Sequence, residues 1–231
     1  DISKLIAKKL PGWQLEGGAH NIARRDGIGT LILESYNQIG ALPDYYFQGV
    51  GGGPGPIGVF EMMERLRDSG DYDGDFTKIF LSQNIEHSPI HNAWQDGRNN
   101  LVDADFPKEK KSVYSDYLLT ASPSYEIIGG VYDILKGSNG DTFVVTKEEA
   151  LEAKAIFEQT EGIDIMSPAA VALASIIKAK EENKIKSEDI ILLNVSGAGV
   201  DRIKNDFKIT NLEPWIKTKK ENIIQELMDK I

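Results

Sequence analysis

The chain has 231 residues, 41% hydrophobic and 27% charged, which is enough apolar side chain to bury one large α/β core. Its 36 Asp and Glu outnumber 26 Lys and Arg, and a net charge of −10 with no basic face argues against nucleic acid as a partner. The absence of cysteine excludes disulfides, thiolate metal sites and cysteine nucleophiles and suits a cytoplasmic location; no apolar run reaches the length of a membrane span.

Ile2 to Leu10 reads as a helix with neither initiator Met nor signal peptide before it, so Asp1 is expected not to be the natural start. Thr30 to Ile39 carries apolar residues at helical spacing and stops at Gly40. Tyr45, Tyr46, Phe47 and Val50 then form an apolar, aromatic run that predicts a buried strand. Five glycines follow within eight residues, Gly51, Gly52, Gly53, Gly55 and Gly58, and Ile57, Phe60, Met63 and Leu66 predict a helix over 57–68. Strand, glycine turn and helix N-terminus together make an anion site: unhindered backbone approaches the ligand, free N–H groups point at it and the helix dipole favours negative charge. Pro54 and Pro56 stiffen the turn, although each removes one donor. The segment is expected to cradle a phosphate. The dinucleotide fingerprint fits loosely, because its third glycine falls on Pro56, and the Gly-Lys-Ser/Thr ending of a P-loop is missing at Ile57-Gly58-Val59.

Beyond this helix, Asp68 to Asp75 is a polar loop. Asp71, Asp73 and Asp75 imitate a calcium loop, but Phe76 stands where Gly is needed and Ser82 where Glu is needed, so a solvated loop is expected. Ile79 to Leu81 is a short strand, and Pro89 to Gln95 a helix. His87 and His91 are four apart, yet Pro89 between them breaks the geometry that would aim both at one ion, and no metal is expected there. Residues 97–117 lack a stable period and read as an insertion or lid-like loop. Ser124 to Leu135 reads as helix, and Thr142 to Thr146 as strand. Thr146 and Glu149 form a capping box, Ser167-Pro168 is read as N-cap and first residue of a further helix, and Ile190 to Val195 as the centre of a parallel sheet. The alternation predicts an α/β fold: an open, mostly parallel twisted sheet with helices on both faces. Ligands of such sheets lie beyond the C-terminal strand ends, and two ends are chemically marked: the glycine loop after Val50, and Asn194-Val-Ser-Gly-Ala-Gly199.

Asn21-Ile-Ala-Arg24-Arg-Asp-Gly27-Ile-Gly-Thr30 resembles the Asn-Pro-x-Arg-x-x-Gly-x-x-Thr segment of threonine synthases. The glycine loop, Glu161-Gly162-Ile163, Pro168-Ala169-Ala170 and Ser196-Gly197 follow in the order of the same superfamily, the pyridoxal-phosphate enzymes of tryptophan synthase β type (fold type II). Glu16 to Gly27, Tyr46 to Gly51, Phe157 to Asp164 and Leu193 to Gly197 resemble the cysteate synthases more closely. The resemblance covers essentially all of the chain but only the C-terminal half or so of the family, so residues 1–231 are expected to be the C-terminal part of a cofactor-binding domain.

The resemblance implies pyridoxal 5′-phosphate as cofactor, with its phosphate on the N–H groups of Gly51, Gly52, Gly53 and Gly55 and its ring nitrogen against Ser196. Pro54 departs from the family's loop. Asn21 and Arg24 fall on positions associated with the substrate's phosphate, with Arg25 as the solvent-facing neighbour and Ala19 where threonine synthases carry Ser. Apart from the resemblance, Arg24 reads as a surface ion pair and Ser196 as a turn hydroxyl. The family's Schiff-base lysine lies in a Ser-x-Lys type segment that these residues lack, so no catalytic lysine is assigned and the chain is expected to be truncated. The implied reaction exchanges the phosphate of O-phospho-L-serine for sulfite to give L-cysteate, a step toward coenzyme M. The alternatives are a threonine synthase acting on O-phosphohomoserine, or a non-catalytic phosphate-ligand-binding subunit. The expected partners are the phosphoamino acid, sulfite, the N-terminal half and a second copy of the chain.

Overall fold

A computed structural model describes residues 2–109, 112–210, 212–219 and 221–230. Asp1, the expected non-natural start, and Lys110 and Lys111, inside the 97–117 segment, lie outside the described residues. The elements run α1 (Ile2–Lys9), α2 (Ile22–Ile39), β1 (Tyr45–Gly49), α3 (Pro54–Asp68), β2 (Lys78–Asn84), α4 (Pro89–Gln95), α5 (Val131–Gly137), β3 (Asp141–Val145), α6 (Lys147–Glu161), α7 (Ser167–Glu181), β4 (Ile191–Leu193), α8 (Val200–Asp206) and α9 (Ile223–Met228). Among the described residues no helix is long and apolar enough to cross a membrane.

The four strands form one sheet in the order β3-β2-β1-β4, and every pairing is parallel. Strand alternation sorts the core into two layers. Tyr46, Ile79 and Leu81 join Ile32 of α2, Ile57 and Met63 of α3 and Leu135 of α5 on one face. Tyr45, Phe47, Phe80 and Phe143 point to the other, where their rings meet edge-on or tilted at 5.1–5.6 Å. Helix α7 lies on that second face, its small residues Ala169, Ala170, Ala172, Ala174 and Ala179 fully or almost fully buried. The predicted class, a parallel α/β sheet covered on both faces, is the observed one.

Several local expectations change. Helix α2 begins at Ile22, well before Thr30, because Asn21 caps it by accepting from the Arg24 N–H. The helix expected from Ser124 starts only at Val131: Gly129 is left-handed (φ 68°), and the Gly130 N–H turns back to the Ile127 carbonyl. Strand β4 is no sheet centre here. Among the described residues it pairs with β1 alone and is half-buried. Its apolar run reflects only composition, which cannot separate an edge strand from a central one. The Thr146–Glu149 capping box forms as read, with both reciprocal bonds (2.7 and 3.2 Å). The cap of α7 is Met166, not Ser167, whose hydroxyl instead donates to Ser115 Oγ (3.0 Å).

Candidate functional site

The last ladder bond of β1 runs from the Val50 N–H to the Ser82 carbonyl (2.8 Å), and the chain then turns through the glycines. Gly53 is the N-cap of α3 at φ 99°, a conformation side-chain-bearing residues rarely adopt. Helix α3 therefore starts at Pro54 rather than near Ile57, and Pro54 and Pro56 both stand in its first turn. Proline costs little there, because the N–H it lacks would have no partner inside the helix. The loop is held by its carbonyls: Ser124 N–H donates to Gly52 O (2.8 Å) and Ile57 N–H to Gly53 O (3.2 Å). The N–H groups of Gly51, Gly52, Gly53 and Gly55 have no hydrogen-bond acceptor among the described residues. No acidic residue stands in the first turn of α3 to compete for them. Packing is close on two sides. A Cβ on Gly51 would meet the Leu118 carbonyl at 3.2 Å, and one on Gly53 would meet Val131 Cγ2 at 2.5 Å.

The second marked strand end lies beside the first because β4 pairs with β1, Phe47 opposite Leu193, and Asn194 N–H extends the ladder to Phe47 O (3.0 Å). The turn after it is tied to the N-cap of α7 by Met166 N–H on Gly197 O (2.8 Å), and β1 approaches the same helix end at Gly49, where a Cβ would stand 2.5 Å from Pro168 O. Ser196 sits in this turn, exposed, and the turn is built without its hydroxyl.

A cavity of about 400 Å³ is lined at once by Arg24, Gly51, Gly52, Gly53, Gly55 and Ser196, with Gln48, Tyr117 and Leu118 completing its wall. Asn21 is not part of that lining. Its carboxamide donates to Glu16 O (2.7 Å) and accepts from Arg24 N–H (3.2 Å), so it sets the start of α2. Arg24 is paired with Glu16 Oε2 at 2.7 Å, and both side chains are about half exposed. The Gly18 N–H, with Arg24 and Asn21, holds the Glu16 carboxyl below the usual carboxylate range. Arg25, expected to face solvent, is the more buried of the two arginines. It pairs with Glu61 of α3 (2.8 Å) and donates to Ala19 O. The reason is close approach of α2 and α3 at Gly58, where a Cβ would stand 2.6 Å from Arg25 O.

A larger cavity, about 640 Å³, lies under residues 103–121 and includes Glu86, His87, Phe106 and Lys108. It contains neither the glycine loop nor any predicted site residue, and the smaller cavity is the better candidate on chemistry. His87 Nε2 meets Thr120 O (3.0 Å) and His91 Nδ1 meets Thr142 Oγ1 (2.9 Å), so the two rings have separate partners.

Sequence reasoning missed one polar group in the wall. Gln48 lies inside the apolar run Tyr45-Tyr-Phe-Gln-Gly, where nothing marks it as functional. Its Oε1 accepts from the Tyr46 hydroxyl (2.8 Å), which in turn accepts from Asn194 Nδ2 (2.9 Å).

Comparison with known proteins gives this geometry a family. The chain is 45% identical to the cysteate synthase of Methanosarcina mazei, a match over 90% of this chain and 51% of that protein. It is 39% identical to the cysteate synthase of Methanocella arvoryzae, over 100% of this chain and 56% of that protein. The chain thus spans about half the length of the curated relatives it matches. Its fold resembles serine racemase from Dictyostelium discoideum (TM-score 0.53, 21% identity, 73% of this chain and 48% of that one). It also resembles a fungal L-serine ammonia-lyase from Rhizomucor miehei (TM-score 0.56, 14% identity, 78% of this chain and 55% of that one). The family described as pyridoxal-phosphate dependent enzyme matches residues 2–197, and the chain belongs to that family.

Proposed function

We propose that this chain carries the cofactor-phosphate cradle and a substrate-phosphate arginine of an enzyme that exchanges the phosphate of O-phospho-L-serine for sulfite, giving L-cysteate and inorganic phosphate. The observation that carries the reading is the single cavity that the glycine loop, Ser196 and Arg24 line together. Similarity to cysteate synthases along the chain supports the choice of substrate.

The donor set fits pyridoxal 5′-phosphate. Glycine N–H groups without protein acceptors, at the positive end of the 15-residue helix α3, suit a phosphate dianion, and the close packing at Gly51 and Gly53 leaves the loop no side chains to obstruct it. When bound, the group supplies an electron sink for negative charge at the substrate Cα. The rest is assigned to the chain's own residues. Gly51, Gly52, Gly53 and Gly55 hold the phosphate through their N–H groups. Ser196 would hold the ring nitrogen by a hydrogen bond from its hydroxyl without protonating it, whereas a carboxylate there would keep the nitrogen protonated. Arg24 exchanges Glu16 for the substrate's phosphate, which its planar fork matches with two hydrogen bonds. Asn21 acts by fixing the first turn of α2, and with it the place of Arg24. At Cβ the bond to the phosphate oxygen breaks and the bond to sulfite sulfur forms, the phosphate leaving with that bond's electron pair. The segment carrying the remaining half of the relatives' length is the required partner, and a second copy is proposed as an oligomeric neighbour.

A version of the protein joined to that segment should release phosphate from O-phosphoserine only when sulfite is present. Arg24→Lys should raise KM for the phosphoamino acid, lowering kcat/KM about 10-fold to 100-fold with cofactor affinity nearly unchanged. Threonine formation from O-phosphohomoserine without sulfite would replace this reading with threonine synthase. Unchanged kinetics in Arg24→Lys would return Arg24 to a surface ion pair.

A further inference from the structure

We infer that Gln48 is a ligand-contacting residue of the cradle, its carboxamide oriented by Tyr46 and Asn194 so that the NH₂ end faces the phosphate. The inference rests on the cofactor reading above and extends it to a side chain. Three observations carry it.

First, the relay as placed ends on the Gln48 oxygen. Asn194 Nδ2 can only donate, so the Tyr46 oxygen accepts from it (2.9 Å) and sends its own proton to Gln48 Oε1 (2.8 Å). Tyr46 is fully buried, and burial pushes its phenol up, which keeps it a proton donor across the ordinary pH range. With its oxygen engaged by Tyr46, the Gln48 carboxamide presents Nε2 as a donor, with no protein acceptor among the described residues.

Second, that donor stands at the cradle. An ideal Cβ on Gly55 would lie 2.4 Å from Gln48 Nε2 and 2.7 Å from its Oε1, so the amide packs on the second residue of α3. Third, Gln48 lines the same cavity as the glycine loop. A neutral NH₂ group there adds a hydrogen-bond donor to an anion without the self-repulsion a second charge would bring to the helix N-terminus.

The test is calorimetric titration of the chain with pyridoxal 5′-phosphate, inorganic phosphate and phosphate-free pyridoxal. At pH 8, Gln48→Glu should weaken both phosphate ligands by about tenfold or more and pyridoxal by less than about twofold, because it swaps a donor for a like charge. The Gln48→Met variant, which removes the donor but keeps the length, should cost about three- to tenfold. Tyr46→Phe, which frees the amide to flip, should cost about two- to fivefold. The deficit of Gln48→Glu relative to the unsubstituted chain should shrink only below about pH 5, where a carboxyl of ordinary strength takes up a proton. If the unsubstituted chain binds pyridoxal 5′-phosphate and both Gln48 variants bind it equally well, the role of Gln48 is overturned while the cradle stands. Equal losses for pyridoxal and its phosphate, independent of pH, would also overturn it and reduce Gln48 to a packing role. An unsubstituted chain that binds neither phosphate ligand overturns the cradle and this inference together.

Discussion

Helices α3 and α6 are both 15 residues long and both follow a strand of the same sheet, yet their N-termini are built in opposite ways. Helix α6 brings its own anion. Glu148 and Glu149 stand in its first turn, Thr146 caps it, and Glu149 returns to the Thr146 N–H while also pairing with Lys178 (3.0 Å). Helix α3 has a glycine for a cap, no acid in its first turn and two prolines in place of two donors. One end is closed by side chains and serves stability. The other leaves its N–H groups without protein acceptors beside a cavity and relies for its shape on carbonyl bonds and close packing. A helix N-terminus alone says little about function; what marks α3 is that every residue type able to satisfy it from within is missing.

The comparison breaks most severely at Gly53. Gly53→Ala places a side chain at φ 99° and drives it toward Val131, so we expect a loss of roughly 2–4 kcal/mol in unfolding free energy from backbone strain and overpacking. Urea titration measures it, and pyridoxal 5′-phosphate affinity should fall as well. A variant as stable as the parent would show that the loop does not need its left-handed glycine.

Gly52→Asp makes α3 resemble α6. A Cβ at Gly52 meets nothing closer than Pro54 Cδ at 3.6 Å, so the fold should tolerate it. Its carboxylate would occupy the helix N-terminus in place of a ligand, and phosphate-ligand affinity should drop by about tenfold or more, equivalent to about 1.4 kcal/mol, while the thermal midpoint stays within about 3 °C. Retained affinity would mean that these N–H groups are not the phosphate donors.

The smallest effect lies at α6. Burial opposes ionisation of Glu149, but the Thr146 N–H and Lys178 outweigh it and hold the carboxyl below the usual carboxylate range. A depressed folded value adds stability at pH above the unfolded value of 4.5, and that stability disappears as pH falls through the folded value. The advantage of the parent over Glu149→Gln, about 0.5 kcal/mol for this partly exposed group, should therefore stay level from pH 7 to about 5 and shrink below 4.5. Denaturant titrations at three pH values measure it, with ligand affinity equal in parent and variant at each pH. An advantage that grew toward acid pH would reverse the assigned sign.

The sequence disclosed features whose cause is local. The capping box depends on two side chains three residues apart, and the glycine turn on five residues within eight; both were readable. So was the α/β alternation. What escaped depends on contacts far along the chain. Arg25 is drawn inward because Gly58, in a different helix, permits close approach. Strand β4 has the composition of a sheet centre, but its neighbours are decided by topology. Gln48 is readable only once Asn194, far away in sequence, is known to orient Tyr46. That Arg24 lines the same cavity as the glycine loop is not marked in its local segment, which is that of an ordinary surface ion pair; only the family resemblance singles the residue out.

The register between β1 and β4 gives the site a fixed gauge. Phe47 stands opposite Leu193, and the glycine loop and Ser196 each follow a few residues later. Neighbouring strands lie about 4.8 Å apart and each residue advances a strand by about 3.3 Å, so the gap between the glycine loop and the Ser196 turn is set in steps of backbone length. Substituting side chains around the cavity can tighten or loosen a ligand without changing that gap. Adding or removing a residue between Leu193 and Ser196, or between Phe47 and Gly51, moves one jaw of the caliper, and a slip of the strand by one position would also turn the intervening side chains to the opposite face. The span of the cavity between its two strand ends is thus recorded in main-chain hydrogen bonds.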